Sequence, residues 1–519
     1  MRGRLFSLFA CLFALSFSLD SAYGANLAQQ RQYYDEAKRA LAKGDDGPYQ
    51  RYAAALQDYP LQPYLAYDEL TARLKSASNA EIEKFLAEHG DLPQASWMKL
   101  RWLRWLAERG EWQTFLNYYD PKLNFTELDC LYGQYLLSHG PAAEANAAAE
   151  KLWLVGKSQP QACDVLFERW AARGQLSESL RWQRAKLAAE ARNYGLASHL
   201  VKNLPSRARQ GALLVEVAQN PALLSQTARF SPADPAMADV VGLGLRRLAR
   251  QDPEKALQLL ELYAPRQAFS KEEKVAIARE IGLTFAKRFD SRALPVMSQY
   301  DPELRDNNVS EWRARLLLRL GRWDDAYQLT RQLPASLADS NRWRYWQARS
   351  LQLAQPQSQQ PLTLYQPVAR ERDFYGFLSA DRIQVPYQLK NQPLALDART
   401  IQKVRNTAGI RRALEFHARG QIVDGRREWY HVSRLFSRDE MVAQARMAYD
   451  MQWYFPAIRT ISQAQYWDDL DVRFPMAYKD SLTRAAKSRS LHSSWVFAIT
   501  RQESAFMNDA RSGVGASGL

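Results

Sequence analysis

The sequence predicts an all-α protein, built from helix pairs stacked into a curved superhelix. Three observations carry this expectation. Apolar residues recur at helical spacing over most of the chain, as at Trp312, Leu316 and Leu320 and again at Trp323, Ala326, Tyr327 and Thr330. Short glycine turns interrupt the period without abolishing it. Gly321-Arg322 separates those two runs, and Arg109-Gly110-Glu111-Trp112, Arg173-Gly174-Gln175-Leu176 and Arg419-Gly420-Gln421-Ile422 repeat the pattern. The composition, 46% hydrophobic and 24% charged, is that of a globular chain and excludes wholesale disorder or a polytopic membrane protein. The turns are unevenly spaced, so the repeat is degenerate and not a regular tetratricopeptide array. Such pairs bury their apolar faces only against their neighbours.

In chain order, Arg2 and Arg4 precede an apolar run from Leu5 to Leu19, and Ala22-Tyr23-Gly24 offers small residues before Ala25. Residues 1–24 therefore read as a signal peptide removed on export, with Cys11 inside its apolar core. No later apolar run approaches the ~20 residues needed to cross a bilayer, so an exported, soluble chain without membrane insertion is expected. Of three cysteines, Cys130 and Cys163 remain after cleavage, and an oxidising compartment favours a disulfide between them. The histidines are scattered and no metal-ligand spacing appears, so no metal site is expected. The formal net charge is +14, which loss of Arg2, Arg4 and Asp20 with the leader lowers by one. A basic surface suits an anionic polymer. Nucleic acid is the usual inference from such a charge, but export argues against it.

Helical patterning runs from Ala28 to about Gln352. The 15 Trp and 25 Tyr include clusters at Trp97, Trp102, Trp105 and Trp112 and at Trp343 and Trp346. Rings at helical spacing are expected to pack between helices, with stacking on sugar faces as the alternative. Ala354 to Thr363 is rich in Gln and Pro and reads as a loop, and Arg382 to Gln392 as an extended segment. Leu396 to Trp453 is helical again, with Ile401, Val404, Ala413, Leu414 and Trp429 on apolar faces. The expected organisation is a superhelical domain over 25–380, a small helical linker domain over 381–465 and a further domain beginning in 466–519.

The last stretch, Ser494 to Leu519, carries the chemistry. If Trp495 to Phe506 is a helix, Val496, Ile499, Glu503 and Phe506 fall within about 80° of one another, with Trp495 beside them. Glu503 then sits inside an apolar stripe, where lost hydration would raise its pKa and let it act as a proton donor. A structural pairing of Glu503 with an Arg elsewhere is the alternative. Gly513-Val514-Gly515-Ala516-Ser517-Gly518 is formally G-x-G-x-x-G, but a nucleotide site needs a strand before it and a helix after it, and a helical segment precedes it.

Glu503-Ser504-Ala505-Phe506 followed by Ser512-Gly513-Val514-Gly515-Ala516-Ser517-Gly518-Leu519 resembles the E-S-x-F and S-x-x-G-A-x-G-L signature of the soluble lytic murein transglycosylases. Shorter likenesses to that family lie at Tyr59-Pro60-Leu61-Gln62-Pro63-Tyr64-Leu65, at Arg372 to Leu378 and at Arg473 to Tyr478. The resemblance implies a lysozyme-like catalytic domain beginning in 466–519. It implies cleavage of the β-1,4 bond between N-acetylmuramic acid and N-acetylglucosamine, with a 1,6-anhydromuramic product and without a cofactor. Glu503 would be the single general acid and base, and Phe506, Ser512, Gly515 and Ala516 would contact substrate. Peptidoglycan carries lactyl and peptide carboxylates, so it reconciles basic charge with export. The implied location is the periplasm, with other cell-wall enzymes as further partners and no nucleic acid. The family motif continues into Met-Gln and about another hundred residues of fold, so the catalytic domain is expected to be incomplete in these 519 residues and the chain as it stands inactive. A hydrolytic muramidase and a non-catalytic helical scaffold binding glycan or proteins are the competing readings.

Overall fold

The computed structural model describes residues 26–231 and 234–518, and the leader expected over 1–24 lies outside them. Among the described residues the regular structure is helical, α-helices joined by short 3-10 turns, and the β structure is one isolated antiparallel bridge between Arg511 and Ser517. No helix of the described residues is long and apolar enough to cross a membrane. Contacts divide the chain into two units: Asn124–Leu389, and the residues up to Leu123 together with Lys390–Leu519.

In the Asn124–Leu389 unit each helix packs mainly on its neighbours in sequence. Thr126–His139 lies on Ala142–Trp153 and Gln161–Ala172, Glu178–Glu190 on Tyr194–Val201, Lys271–Lys287 on Ala293–Tyr300, and Trp323–Gln332 on Asn341–Ala354. One apolar core runs from Cys130 to Trp343 through these pairs. Three of its tryptophans serve packing while keeping their N–H groups paired, as most buried polar atoms do. Trp170 Nε1 donates to Asn146 Oδ1 at 3.1 Å, Trp182 Nε1 to Asp239 Oδ2 at 2.7 Å and Trp153 Nε1 to the Leu180 carbonyl at 3.0 Å.

Cys130 and Cys163 are joined, with Cα atoms 4.9 Å apart, and both are fully buried. The bond ties Thr126–His139 to Gln161–Ala172. In the chain-entropy view a closed loop of this size stabilises by about 3 kcal/mol. The Cys130→Ala/Cys163→Ala protein should therefore unfold at a lower urea concentration than wild type. Coincident unfolding curves would show that the bond contributes nothing.

The glycine turns share one geometry. Gly110, Gly174, Gly321 and Gly420 have φ of 72°, 71°, 68° and 73°, a left-handed conformation that glycine adopts without Cβ strain. After three of them the next amide reaches back five residues: Glu111 N to Leu106 O, Arg322 N to Leu317 O and Gln421 N to Phe416 O, at 2.9–3.0 Å. This bond satisfies an orphan helix carbonyl and closes the helix end. The same turn is made by residues with side chains. Arg192 (φ 61°) precedes Asn193, whose N–H reaches Ala188 O, and Gln452 (φ 61°) precedes Trp453, whose N–H reaches Ala448 O.

Two local expectations need correction. The loop expected over Ala354 to Thr363 is shorter, because Asn341–Ala354 runs to Ala354 and Gln360–Ala369 begins with Pro361 in its first turn, where its missing N–H costs nothing. The extended segment expected from Arg382 starts later. Phe374–Ile383 continues to Ile383 and is capped by Gln384 in the left-handed region.

The other unit joins the beginning of the chain to its end. A helix through 26–43 and the helices Asp46–Ala54, Gln62–Ala72, Asn79–His89, Ala95–Glu108 and Trp112–Tyr118 belong with Ala398–Asn406 through Ser493–Ser504. Two carboxylates form the seam. Glu415 accepts hydrogen bonds from Arg31 (2.7 and 2.8 Å) and from the Tyr59 hydroxyl (2.7 Å). Glu428 accepts from the Tyr64 hydroxyl (2.8 Å) and from Arg412 (2.6 Å), and Arg412 also donates to Asp91 (2.8 Å). Tyr64 meets Phe416 edge to face, ring centroids 4.8 Å apart. Tyr59 and Tyr64 are the two tyrosines of the Tyr59-to-Leu65 stretch singled out in the sequence, and their hydroxyls end in this seam.

Candidate active site

The helix that carries Glu503 is Ser493–Ser504, packed on Lys479–Ser488. It ends sooner than expected. Ala505 (φ 47°) and Phe506 (φ 62°) are both left-handed, so the chain doubles back and Phe506 leaves the helix. Its ring enters a small core with Ile458, Ala477, Leu482 and Phe497 and is 4% exposed. It lies 6.5 Å from Tyr454 and 6.4 Å from Phe497, between ring centroids. The substrate contact expected of Phe506 is therefore not what this geometry offers: the ring is a core residue that pins the chain just after Glu503.

The face of the helix is also corrected. Phe497, Thr500, Arg501 and Ser504 are turned toward protein, while Glu503 is exposed with Trp495 (58%) and Ile499 (49%) beside it along one row. The inward polar residues are accommodated because their groups find partners at once. Thr500 Oγ1 donates to the Val496 carbonyl at 2.9 Å and Ser504 Oγ to the Thr500 carbonyl at 3.3 Å, hydroxyl-to-helix bonds that hide a polar group. Arg501 Nε donates to the Arg473 carbonyl at 2.8 Å, and the guanidinium lies 4.7 Å above the Phe474 ring; burial lowers its pKa. The apolar stripe exists, but it faces outward and leads to the carboxylate. Among the described residues no hydrogen bond or ion pair holds Glu503, so the alternative of a structural Arg partner is not realised.

Ser512, Gly515 and Ala516 come together in one tight turn. Ser512 N donates to Ala516 O at 2.8 Å, Gly515 N to Ser512 O at 3.0 Å and Ala516 N to Ser512 Oγ at 2.9 Å. Gly515 has φ 88°, and a Cβ on Gly518 would meet the Met507 carbonyl at 2.5 Å, so one glycine serves backbone conformation and the other close approach. Val514 at the tip is 96% exposed. A helix and a bridged turn, not a strand and a helix, frame these glycines, which removes the dinucleotide reading.

Asp509, between helix and turn, is held by Arg426 of Ile422–Ser433 through two bonds of 2.7 and 2.6 Å. The guanidinium holds this carboxyl below its ordinary range, and Asp509 is not free to act as a second catalytic carboxylate. No helical periodicity reports a contact between residues 83 positions apart, so sequence reasoning missed this tie. A folded-state pKa below the unfolded value means that the tie stabilises at neutral pH and loses its effect as pH falls through the folded pKa. The pair is partly exposed, so about 1 kcal/mol is its ceiling. Arg426→Ala should raise amide exchange at Gly518, whose N–H donates to Ala510 O, by up to about fivefold. Arg426→Asp/Asp509→Arg should restore part of the protection. Unchanged exchange in Arg426→Ala would show that the turn holds itself.

Comparison with known proteins bears on this geometry. The Soluble lytic murein transglycosylase L domain model matches residues 403–470. A second model, Cucumovirus coat protein, matches residues 140–215, a local likeness confined to the helical stack. A solved lytic transglycosylase Slt of Pseudomonas aeruginosa, determined as the inactive mutant E503Q, superposes with a TM-score of 0.92 at 70% identity, covering 94% of this chain and 79% of that one. The chain belongs to the soluble lytic murein transglycosylase family. Within the family, the Escherichia coli K12 enzyme is 29% identical over 99% of this chain and 79% of its own length. The 70-kDa enzyme SLT70 from Escherichia coli superposes with a TM-score of 0.78 at 27% identity, covering 95% of this chain and 79% of that one, and a 70-kDa soluble lytic transglycosylase solved in complex with bulgecin A superposes with the same values.

Proposed function

We propose that this lytic transglycosylase cleaves the β-1,4 bond between N-acetylmuramic acid and N-acetylglucosamine in peptidoglycan, with Glu503 as the single general acid and base. One observation carries the reading. Glu503 stands unpaired at the end of an apolar row, directly before the family's glycine-rich turn, in a chain 70% identical to an enzyme whose E503Q form is inactive. A sugar laid along Trp495 and Ile499 would exclude water from Glu503 and bring the glycosidic oxygen to its carboxyl. The protonated carboxyl gives its proton to the glycosidic oxygen as the C1–O bond breaks. The resulting carboxylate takes the proton of the muramic C6 hydroxyl, whose oxygen attacks C1 and closes the 1,6-anhydro ring. The substrate's own N-acetyl oxygen would steady the cationic centre between the two steps, as in substrate-assisted glycosidases. Ser512, Gly515 and Ala516 present backbone and hydroxyl groups on the glycine-rich turn and are assigned to substrate contact.

With Asp509 occupied by Arg426, the one-carboxylate route is favoured over a water-using muramidase, which needs a second carboxylate about 5–9.5 Å from the first. Export to the periplasm with removal of residues 1–24, and the division into 25–380, 381–465 and 466 onward, belong to the same proposal. Mass spectrometry of muropeptides released from purified sacculi by a version that spans the full length of its relatives tests it: 1,6-anhydromuramic ends are expected. Reducing ends would establish the hydrolase instead, and no release at all the scaffold.

A further inference from the structure

A cavity of about 820 Å³ opens in the Asn124–Leu389 unit, between Lys271–Lys287, Ala293–Tyr300 and the segment that starts Asn307–Arg319. Its volume lies in the range of about 300–1,000 Å³ usual for ligand sites. The floor is apolar, with Ala278, Met297 and Val309 buried beneath it and Tyr300 at one side. The charges around it do not cancel. Asp306 is engaged by Arg279, and Glu303 by Arg305. Asp301 accepts the backbone N–H groups of Arg305 (2.8 Å) and Asp306 (3.1 Å), which fixes the 301–306 wall. The lining carries four cations against the three carboxylates of Asp301, Glu303 and Asp306, so one positive charge is in excess. Among the described residues neither Lys271 nor Lys274 has an ion-pair partner. Three apart on one helix, they share a face, and like charges so placed destabilise a helix unless an anion joins them.

We infer that this cavity binds a short acidic peptide, its carboxylates on Lys271 and Lys274 and its apolar part on the Ala278–Met297–Val309 floor. Two ammonium groups three residues apart, about 4.5 Å along the helix axis, can each meet a carboxylate of an extended peptide. An apolar floor suits aliphatic side chains better than phosphates or sugars. The source is the peptide stem of peptidoglycan, a choice that rests on the function proposed above. The enzyme would then grip the peptide of a strand on a unit separate in sequence from the residues that cut its glycan.

Isothermal titration of the full chain with stem tetrapeptide released from sacculi by an amidase tests this. Wild type should bind. Lys271→Gln/Lys274→Gln should bind about tenfold more weakly, as expected for two partly exposed charge contacts. The same peptide with its carboxyls amidated should lose as much on wild type, an arm that does not depend on any variant folding. No binding by wild type, equal binding by the double variant, or equal binding of the amidated peptide would each overturn the site. Equal affinity for an unrelated linear peptide of the same charge would overturn the stem as its ligand. Anhydromuropeptide release by a version that spans the full length of its relatives is followed in parallel. Its absence would sink the functional reading whatever the titration shows, while peptide binding fails independently of it.

Discussion

In a version that spans the full length of its relatives, Glu503→Gln is expected to abolish release of 1,6-anhydromuropeptides, by at least the 10²–10⁴-fold typical of a lost general acid. The expectation exceeds that range because one group serves both proton transfers, and Gln can neither give the proton to the leaving oxygen nor take it from the C6 hydroxyl. The substitution keeps the size of the side chain and one acceptor oxygen. Glu503 is exposed and holds no structural partner, so stability should shift by no more than about 0.5 kcal/mol. That combination is diagnostic: a large loss of product at an unchanged unfolding midpoint places the defect in the chemistry. Wild-type release from the Gln variant would remove Glu503 from the mechanism and return the lead to a binding scaffold.

The second large effect is structural. Glu428→Ala should destabilise the unit that joins the two ends of the chain by about 3–5 kcal/mol, the usual result of removing one partner of a buried ion pair. Glu428 is fully buried and Arg412 nearly so. Desolvation pushes the Glu428 carboxyl up, against the pull of Arg412. Truncation leaves a buried guanidinium with only the Asp91 carboxylate, itself partly exposed, and deprives the Tyr64 hydroxyl of its acceptor. Tyr64→Phe should cost less, about 0.5–1.5 kcal/mol for one hydrogen bond. Hydrogen exchange in Ala408–Ala418 and Gln62–Ala72 reads the outcome, since both helices should lose protection together. A Glu428→Ala protein with wild-type protection in both would mean that packing of Tyr64 on Phe416, not the charge pair, holds the seam.

The all-α class, the paired helices, the glycine turns and the disulfide were legible because each depends on residues near one another or on a rare residue type. Gly321 announces its turn because few other residues tolerate φ near 70°. Arg192 and Gln452 make the same turn silently, which is why the repeat looked degenerate. The site was half legible. Its motif proposed Glu503 and the turn of Ser512, Gly515 and Ala516, but the helix was turned the wrong way. Periodicity assigns apolar residues to the core, and here Thr500, Arg501 and Ser504 face inward because their polar groups are satisfied there. The reasoning that placed a carboxylate on an apolar helix face applied better elsewhere. Glu415 beside Phe416 and Glu428 beside Trp429 are buried acids on such faces that the sequence reading passed over, and their tyrosine partners, hundreds of residues away, leave no trace in local spacing.

The seam of Tyr59 and Tyr64 with Glu415 and Glu428 bears on how the protein is made. These contacts span 356 and 364 residues of chain, and the whole Asn124–Leu389 unit lies between their two sides in sequence. A chain that emerges from its N-terminus presents residues 26–118 long before Glu428 exists for them to dock on. Those first helices carry unsatisfied hydroxyls and an exposed apolar face through the entire synthesis and folding of the intervening unit. The wait imposes an order on assembly: the interrupted unit is begun first and finished last. Long-range closure of this kind is slow and exposed to aggregation. Any holdase that attends this protein should therefore be needed at its first hundred residues, even though those residues are ordered and well packed in the finished molecule.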